Sequence, residues 1–152
     1  MARIRPARHD RRPVVLQNYA VPHVAKIPVH PSGAAPALGP YTHAIRLGNL
    51  LFCSGQVPID PAHPGGPITG DIRDQTRLVL ENVKRILDSQ GLGFAQVVKT
   101  TVFMTNLAEF QGMNEVYAAY FPAPHPARST VQVAALPRGA AVEIEVTAGA
   151  DA

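Results

Sequence analysis

The chain has 152 residues, 46% of them hydrophobic, which is the length of one domain and enough to bury a core without disulfides or metals. Its single cysteine, Cys53, excludes an intramolecular disulfide and fits a reducing, cytoplasmic compartment, and no apolar run reaches the roughly 18 to 20 residues that span a bilayer. The net charge of +3 sits in an N-terminal arm, where Arg3, Arg5, Arg8, Arg11 and Arg12 against Asp10 give +4; the rest of the chain, at −1, has no charge excess directed at nucleic acid.

Residues 1–23 form a basic, proline-rich extension and residues 24–152 the folded domain. By composition the arm is a solvated tail, and no apolar stretch follows its arginines as a secretory signal requires. Six prolines from Pro13 to Pro40 leave room only for short strand-like pieces, such as Val14-Val15-Leu16 and Ala25-Lys26-Ile27. Leu38-Gly39-Pro40-Tyr41 is a turn, and residues 42–47 alternate as a strand. Gly48-Asn49 is a hairpin signal, and residues 50–56 are the returning strand. The stretch 58–70, with four prolines and three glycines, is a loop. Asp71 opens a helix whose Ile72, Thr76, Val79, Leu80, Val83, Ile86 and Leu87 recur at helical spacing, and Gly91 ends it. Residues 97–104 are a β-branched strand. A turn at 106–109 leads into a second helix through Tyr120, with Phe110, Met113, Val116, Tyr117 and Tyr120 as its apolar stripe; Pro122, Pro124 and Pro126 stop it. Two more strands follow, one led by Arg128 and one containing Glu143 and Glu145. The order β-β-α-β-α-β-β implies an α+β sandwich, one sheet covered on one face by two helices.

Strand alternation puts Arg128, Thr130 and Gln132 on one face, and Glu143 with Glu145 on one face of the last strand. The uncovered side of the sheet is expected to carry all five. A half-polar face with apolar patches calls for cover by another subunit, hence a cyclic homo-oligomer. A guanidinium grips a small carboxylate through two parallel hydrogen bonds, and a neighbouring carboxylate activates water. Arg128 and Glu143 facing one small cavity therefore point to hydrolysis of a small acid. The competing reading is a structural ion pair across adjacent strands.

Other chemistry finds less support. Ser54 lacks the Gly-x-Ser-x-Gly elbow, since Phe52 stands two residues before it, and reads as a satisfied turn hydroxyl. The six histidines show no HExxH or i, i+4 pairing, so no metal site is expected. Cys53 is a small core residue. Tyr41 follows Gly39-Pro40 at a rigid turn from which a phenol reaches a pocket, and Asn114 is by default an exposed position early in the second helix.

Together, Gly39-Pro40-Tyr41, residues 54–58 (Ser-Gly-Gln-Val-Pro), Glu81-Asn82-Val83, residues 98–103, Asn114 with Tyr117, and Pro126-Ala127-Arg128-Ser129 followed by Leu136-Pro137 and Glu143-Ile144 resemble the RidA family, the YjgF-type imine deaminases, over about 36–148. The resemblance implies a chorismate-mutase-like homotrimer with its sites in the clefts between subunits, and no cofactor. It implies that Arg128, helped by the backbone N–H of Thr130, holds the carboxylate of 2-aminoacrylate or 2-iminobutyrate. Glu143 would activate the attacking water, and Tyr41, Ser54, Gly55 and Asn114 would line the pocket. The segment 122–125 is shorter and richer in proline than in typical members, Thr130 replaces a frequent Cys, and the N-terminal arm has no counterpart. Three alternatives stay open: another small-acid deaminase or amidohydrolase on the same scaffold, a non-catalytic trimeric binder of small carboxylates, and RNA cleavage, for which the arm is the only support.

Overall fold

Val142, Ile144, Val146 and Ala148 are almost wholly buried, while Glu143, Glu145 and Thr147 alternate with them on the other side. That period of two is what a strand produces when one face meets a core. The computed structural model describes residues 25–149, so the arm at 1–23, the strand-like piece at Val14-Val15-Leu16 and the domain start at Val24 lie outside the described residues. Six strands form one sheet: β1 (Lys26–Val29), β2 (Ala44–Leu47), β3 (Leu50–Gln56), β4 (Val97–Met104), β5 (Ala127–Gln132) and β6 (Val142–Gly149). Their spatial order is β1-β2-β3-β6-β4-β5, every neighbouring pair antiparallel except β4 and β5. The short piece at Ala25-Lys26-Ile27 is thus a true edge strand, which adds one β to the expected order. Pro28 is tolerated there because an edge strand has a side with no ladder partner. The strand expected over residues 42–47 begins only at Ala44, the Thr42 hydroxyl donating to the Ala44 carbonyl at 3.1 Å.

Both helices, α1 (Ile72–Asp88) and α2 (Phe110–Tyr120), lie on one face of the sheet. Asp71 caps α1, its carboxylate accepting from the N–H groups of Arg73 at 2.8 Å and Asp74 at 3.0 Å. The helix ends at Asp88, three residues before Gly91. Gly91 takes a φ of +68° that a side chain disfavours, and Leu92 N–H then returns to the Leu87 carbonyl at 3.0 Å. Val79, Leu80, Val83, Ile86 and Leu87 are fully buried against the sheet, each contributing about 1.5 to 3 kcal/mol through apolar burial. From α2, Met113 and Tyr117 enter this core, and the Tyr117 hydroxyl pairs with that of buried Thr100 at 2.8 Å.

Among the described residues no helix lies over the opposite face. Register puts Ile45, Phe52, Phe103 and Val131 there with Lys99, Thr101, Ser129, Glu143, Glu145 and Thr147, and Phe52 and Val131 are exposed. The expectation that Arg128, Thr130 and Gln132 share this face with the glutamates is overturned. Arg128 lies opposite Thr100 in the parallel ladder, and Thr100 points under α2. So Arg128, Thr130 and Gln132 belong to the helix side, where β5 runs past the edge of the helix layer and its side chains stay polar. Gln132 uses that position to accept the Leu107 N–H at 2.9 Å.

Candidate functional site

Glu143 anchors one of two clefts. It projects from β6 onto the open face, beside a bulge in β3 where three residues from Cys53 to Gln56 span two from Val146 to Ile144. The bulge brings Gly55 directly beneath the Glu143 side chain. A Cβ at Gly55 would stand 2.8 Å from the Glu143 carboxyl carbon, closer than real side chains approach, so any side chain there would displace the carboxylate from the bulge. Leu38, Tyr41, Ser54, Val57 and Pro137 complete a cleft of about 340 Å³. Burial, and after it the negative charge of Glu145, hold the Glu143 carboxyl above the usual carboxylate range.

The rest of this cleft is held by backbone bonds. Ser54 Oγ donates to the Thr42 carbonyl at 2.6 Å, so its hydroxyl is occupied as the turn reading foresaw, even though the residue borders the cleft. The Tyr41 phenol accepts the Leu38 N–H at 3.1 Å while its ring remains exposed. Asn82 on α1 donates to the carbonyls of Val57 at 3.1 Å and Ile59 at 2.9 Å, tying the loop that leaves the bulge to the core. Arg138, left-handed at φ +58°, clamps the same loop through the Pro64 and Gly66 carbonyls, and its neighbour Pro137 forms a wall of the cleft.

Arg128 anchors the second cleft, of about 310 Å³, with Asn114, Tyr117, Ala118, His125 and Pro126. Its guanidinium lies 4.6 Å from the Tyr117 ring centroid and donates to Asn114 Oδ1 at 2.9 Å. Asn114 is therefore half-buried, engaged by Arg128 and part of the lining of this cleft, rather than at the exposed position that is its default. Stacking and the Asn114 bond fix the plane of the fork and leave other N–H donors directed outward. Thr130, two residues along, borders neither cleft, and its buried Oγ1 has no hydrogen-bond partner among the described residues.

Tyr41, Ser54, Gly55 and Glu143 thus come together, and so do Asn114 and Arg128, but the two groups do not meet within one chain. Strand β4 separates β5 from β6, Arg128 lies opposite Thr100 and Glu143 opposite Phe103, and the two side chains leave opposite faces. Two strand spacings and three residues of rise put their Cα atoms roughly 14 Å apart. This excludes the ion pair across adjacent strands, and also the single cavity shared by both groups in one chain. Sequence reasoning missed Leu38 and Ala118 as lining residues. It had Val57 and Pro137 only as parts of the motif, Tyr117 as core and part of the motif, and His125 only as the end of the proline-rich segment 122–125. Cys53 is buried in the core, which pushes its thiol up to about 12. Among the described residues no three His, Cys, Asp or Glu side chains gather as a metal site, and no helix is long and apolar enough to cross a membrane.

One mixed sheet backed by two helices is the α+β architecture of the Rid proteins. The model of the endoribonuclease L-PSP family matches residues 32–150, and the chain belongs to this family, which includes the RidA and YjgF proteins. It is 50% identical over 111 residues to a RutC family protein of Pyrococcus horikoshii, covering 73% of this chain and 87% of that one. It is 48% identical over 125 residues to the chloroplastic Reactive Intermediate Deaminase A of Arabidopsis thaliana, covering 82% and 66%. Among solved structures, Escherichia coli TdcF with bound serine is 43% identical with a TM-score of 0.75, covering 82% of this chain and 98% of that one. The Escherichia coli YjgF gene product is 39% identical with a TM-score of 0.74, covering 81% and 98%.

Proposed function

We propose that the protein hydrolyses small 2-imino acids, such as 2-iminobutyrate and the imine of 2-aminoacrylate, to 2-oxo acids and ammonia. It does so as a homotrimer in which the Arg128 cleft of one copy closes against the Glu143 cleft of the next. The observation that carries this reading is the separation of the two clefts onto opposite faces. A site holding both groups needs two copies in a head-to-tail contact, which makes a ring when its rotation closes. The uncovered face bearing Phe52, Phe103 and Val131 supplies apolar area for that contact. Relatives named as reactive intermediate deaminases, and serine bound to TdcF, fit a small carboxylate-bearing substrate.

Arg128 grips the substrate carboxylate, with Asn114 and the Tyr117 ring holding the fork in plane. Glu143 takes a proton from water as its oxygen adds to the carbon of the protonated imine, giving a neutral carbinolamine. The same carboxyl then protonates the amino group, and the carboxylate so regenerated takes the hydroxyl proton as the C–N bond breaks and the C=O forms; that proton leaves with ammonia as ammonium. One water is consumed per ammonia released. A raised carboxyl suits both halves, being a stronger base towards water and a holder of the proton between the steps. Help of this kind is worth about 10² to 10⁴ in rate. The direct test generates 2-iminobutyrate from threonine with a dehydratase and follows 2-oxobutyrate release. Acceleration by the wild type that is lost in Arg128→Ala and Glu143→Gln supports the reading, and no acceleration by the folded protein removes it.

A further inference from the structure

The Arg128 cleft, of about 310 Å³, is larger than a two- to four-carbon imino acid. Small Ala118, Pro126 and His125 share its lining with Arg128, Asn114 and Tyr117. His125 stands between Pro124 and Pro126, so its own backbone is held extended by the following proline and it sits on a short, stiff segment between α2 and β5. The residue is exposed, and neither ring nitrogen has a hydrogen-bond partner among the described residues, whereas His43 and His63 each make one. An uncommitted side chain that lines the same cleft as the anion anchor is a second donor for a ligand larger than Arg128 alone can hold.

We infer that His125 is a specificity residue which recognises a second acidic group, so that the site also takes 2-imino dicarboxylates, the imines of acidic amino acids. This rests on the imine hydrolysis proposed above and deepens it. One carboxylate sits on Arg128, the imine carbon faces the Glu143 cleft of the adjoining copy, and the distal carboxylate accepts from a ring N–H of His125. The reaction balances as before: water adds across C=N, and ammonia leaves with formation of the 2-oxo dicarboxylate.

The experiment compares two imines in the full-length protein. Iminosuccinate is generated from aspartate by an amino-acid oxidase with catalase present, and oxaloacetate is read with malate dehydrogenase; 2-iminobutyrate is generated from threonine. The readout is the ratio of kcat/KM for iminosuccinate to that for 2-iminobutyrate. In His125→Phe this ratio is expected to fall about tenfold, the scale of losing one hydrogen bond to a charged group. In His125→Gln, which keeps an N–H donor, it should recover by at least half on a logarithmic scale. An unchanged ratio in His125→Phe, or wild-type turnover of 2-iminobutyrate without iminosuccinate, overturns the inference and leaves imine hydrolysis standing. Turnover of neither imine overturns both.

Discussion

Mixing two inactive variants tests the division of the site between copies. Arg128→Ala keeps the Glu143 cleft intact, and Glu143→Gln keeps the Arg128 cleft. Each alone should fall to near background. The two Cα atoms lie roughly 14 Å apart on opposite faces, so a cleft with both groups forms only where the Glu143 of one copy meets the Arg128 of its neighbour. When the variants are unfolded together in equal amounts and refolded, half the copies supply an intact glutamate and half of their neighbours an intact arginine. About one quarter of all sites are then whole, whatever the number of copies in the ring. The assay is 2-oxobutyrate release at constant total protein, with separately refolded variants mixed afterwards as the control. Recovery to about one quarter of wild-type activity on co-refolding is expected. Activity that stays at the sum of the two parents would refute the reasoning, because both groups would then have to act from within one chain.

The remaining predictions concern the two anchors. Gly55→Ala places a methyl in the space of the Glu143 carboxylate, so kcat should drop at least tenfold by displacement of the base, with KM changing less; wild-type kcat would show that the carboxylate need not lie over the bulge. Arg128→Lys keeps the charge but loses the planar fork on Tyr117 and Asn114, and should weaken substrate binding by about 1.5 to 3 kcal/mol, read as a rise in KM. For Glu143 the folded-state carboxyl is raised above its unfolded value, chiefly by burial. Ionising it therefore opposes folding: the penalty is full at neutral pH and disappears as pH falls below the unfolded carboxylate range. Glu143→Gln should accordingly melt higher than wild type at pH 7 and lose that advantage at acid pH, while Glu145→Gln should move the acid limb of the rate profile to lower pH. A Glu143→Gln protein with lower Tm at pH 7 would contradict the assigned sign.

Most of the fold is written in local patterns. The stripe from Ile72 to Leu87, the Asp71 cap and the Val142–Val146 alternation each follow from burying apolar groups at a period of 3.6 or 2 and from satisfying free backbone donors. The Leu38–Tyr41 turn, the hairpin at Gly48-Asn49 and the Pro-rich halt after Tyr120 are likewise legible, because glycine and proline restrict the backbone directly. The residue types of the site were legible too, since an arginine and a glutamate on strands near the C-terminus are chemically conspicuous. What alternation cannot carry is which face of one strand matches which face of another. Parallel pairing of β5 with β4 turned Arg128 towards α2, and antiparallel pairing of β6 with β4 turned Glu143 away from it. The bulge at Cys53–Gln56 aligned Gly55 under Glu143, and the run of prolines brought His125 to the Arg128 cleft. These are long-range contacts, set by ladder register and by how the crossover through α2 packs. The tertiary structure therefore separates two groups that strand alternation had put on one face, and they share a site only if copies associate as proposed.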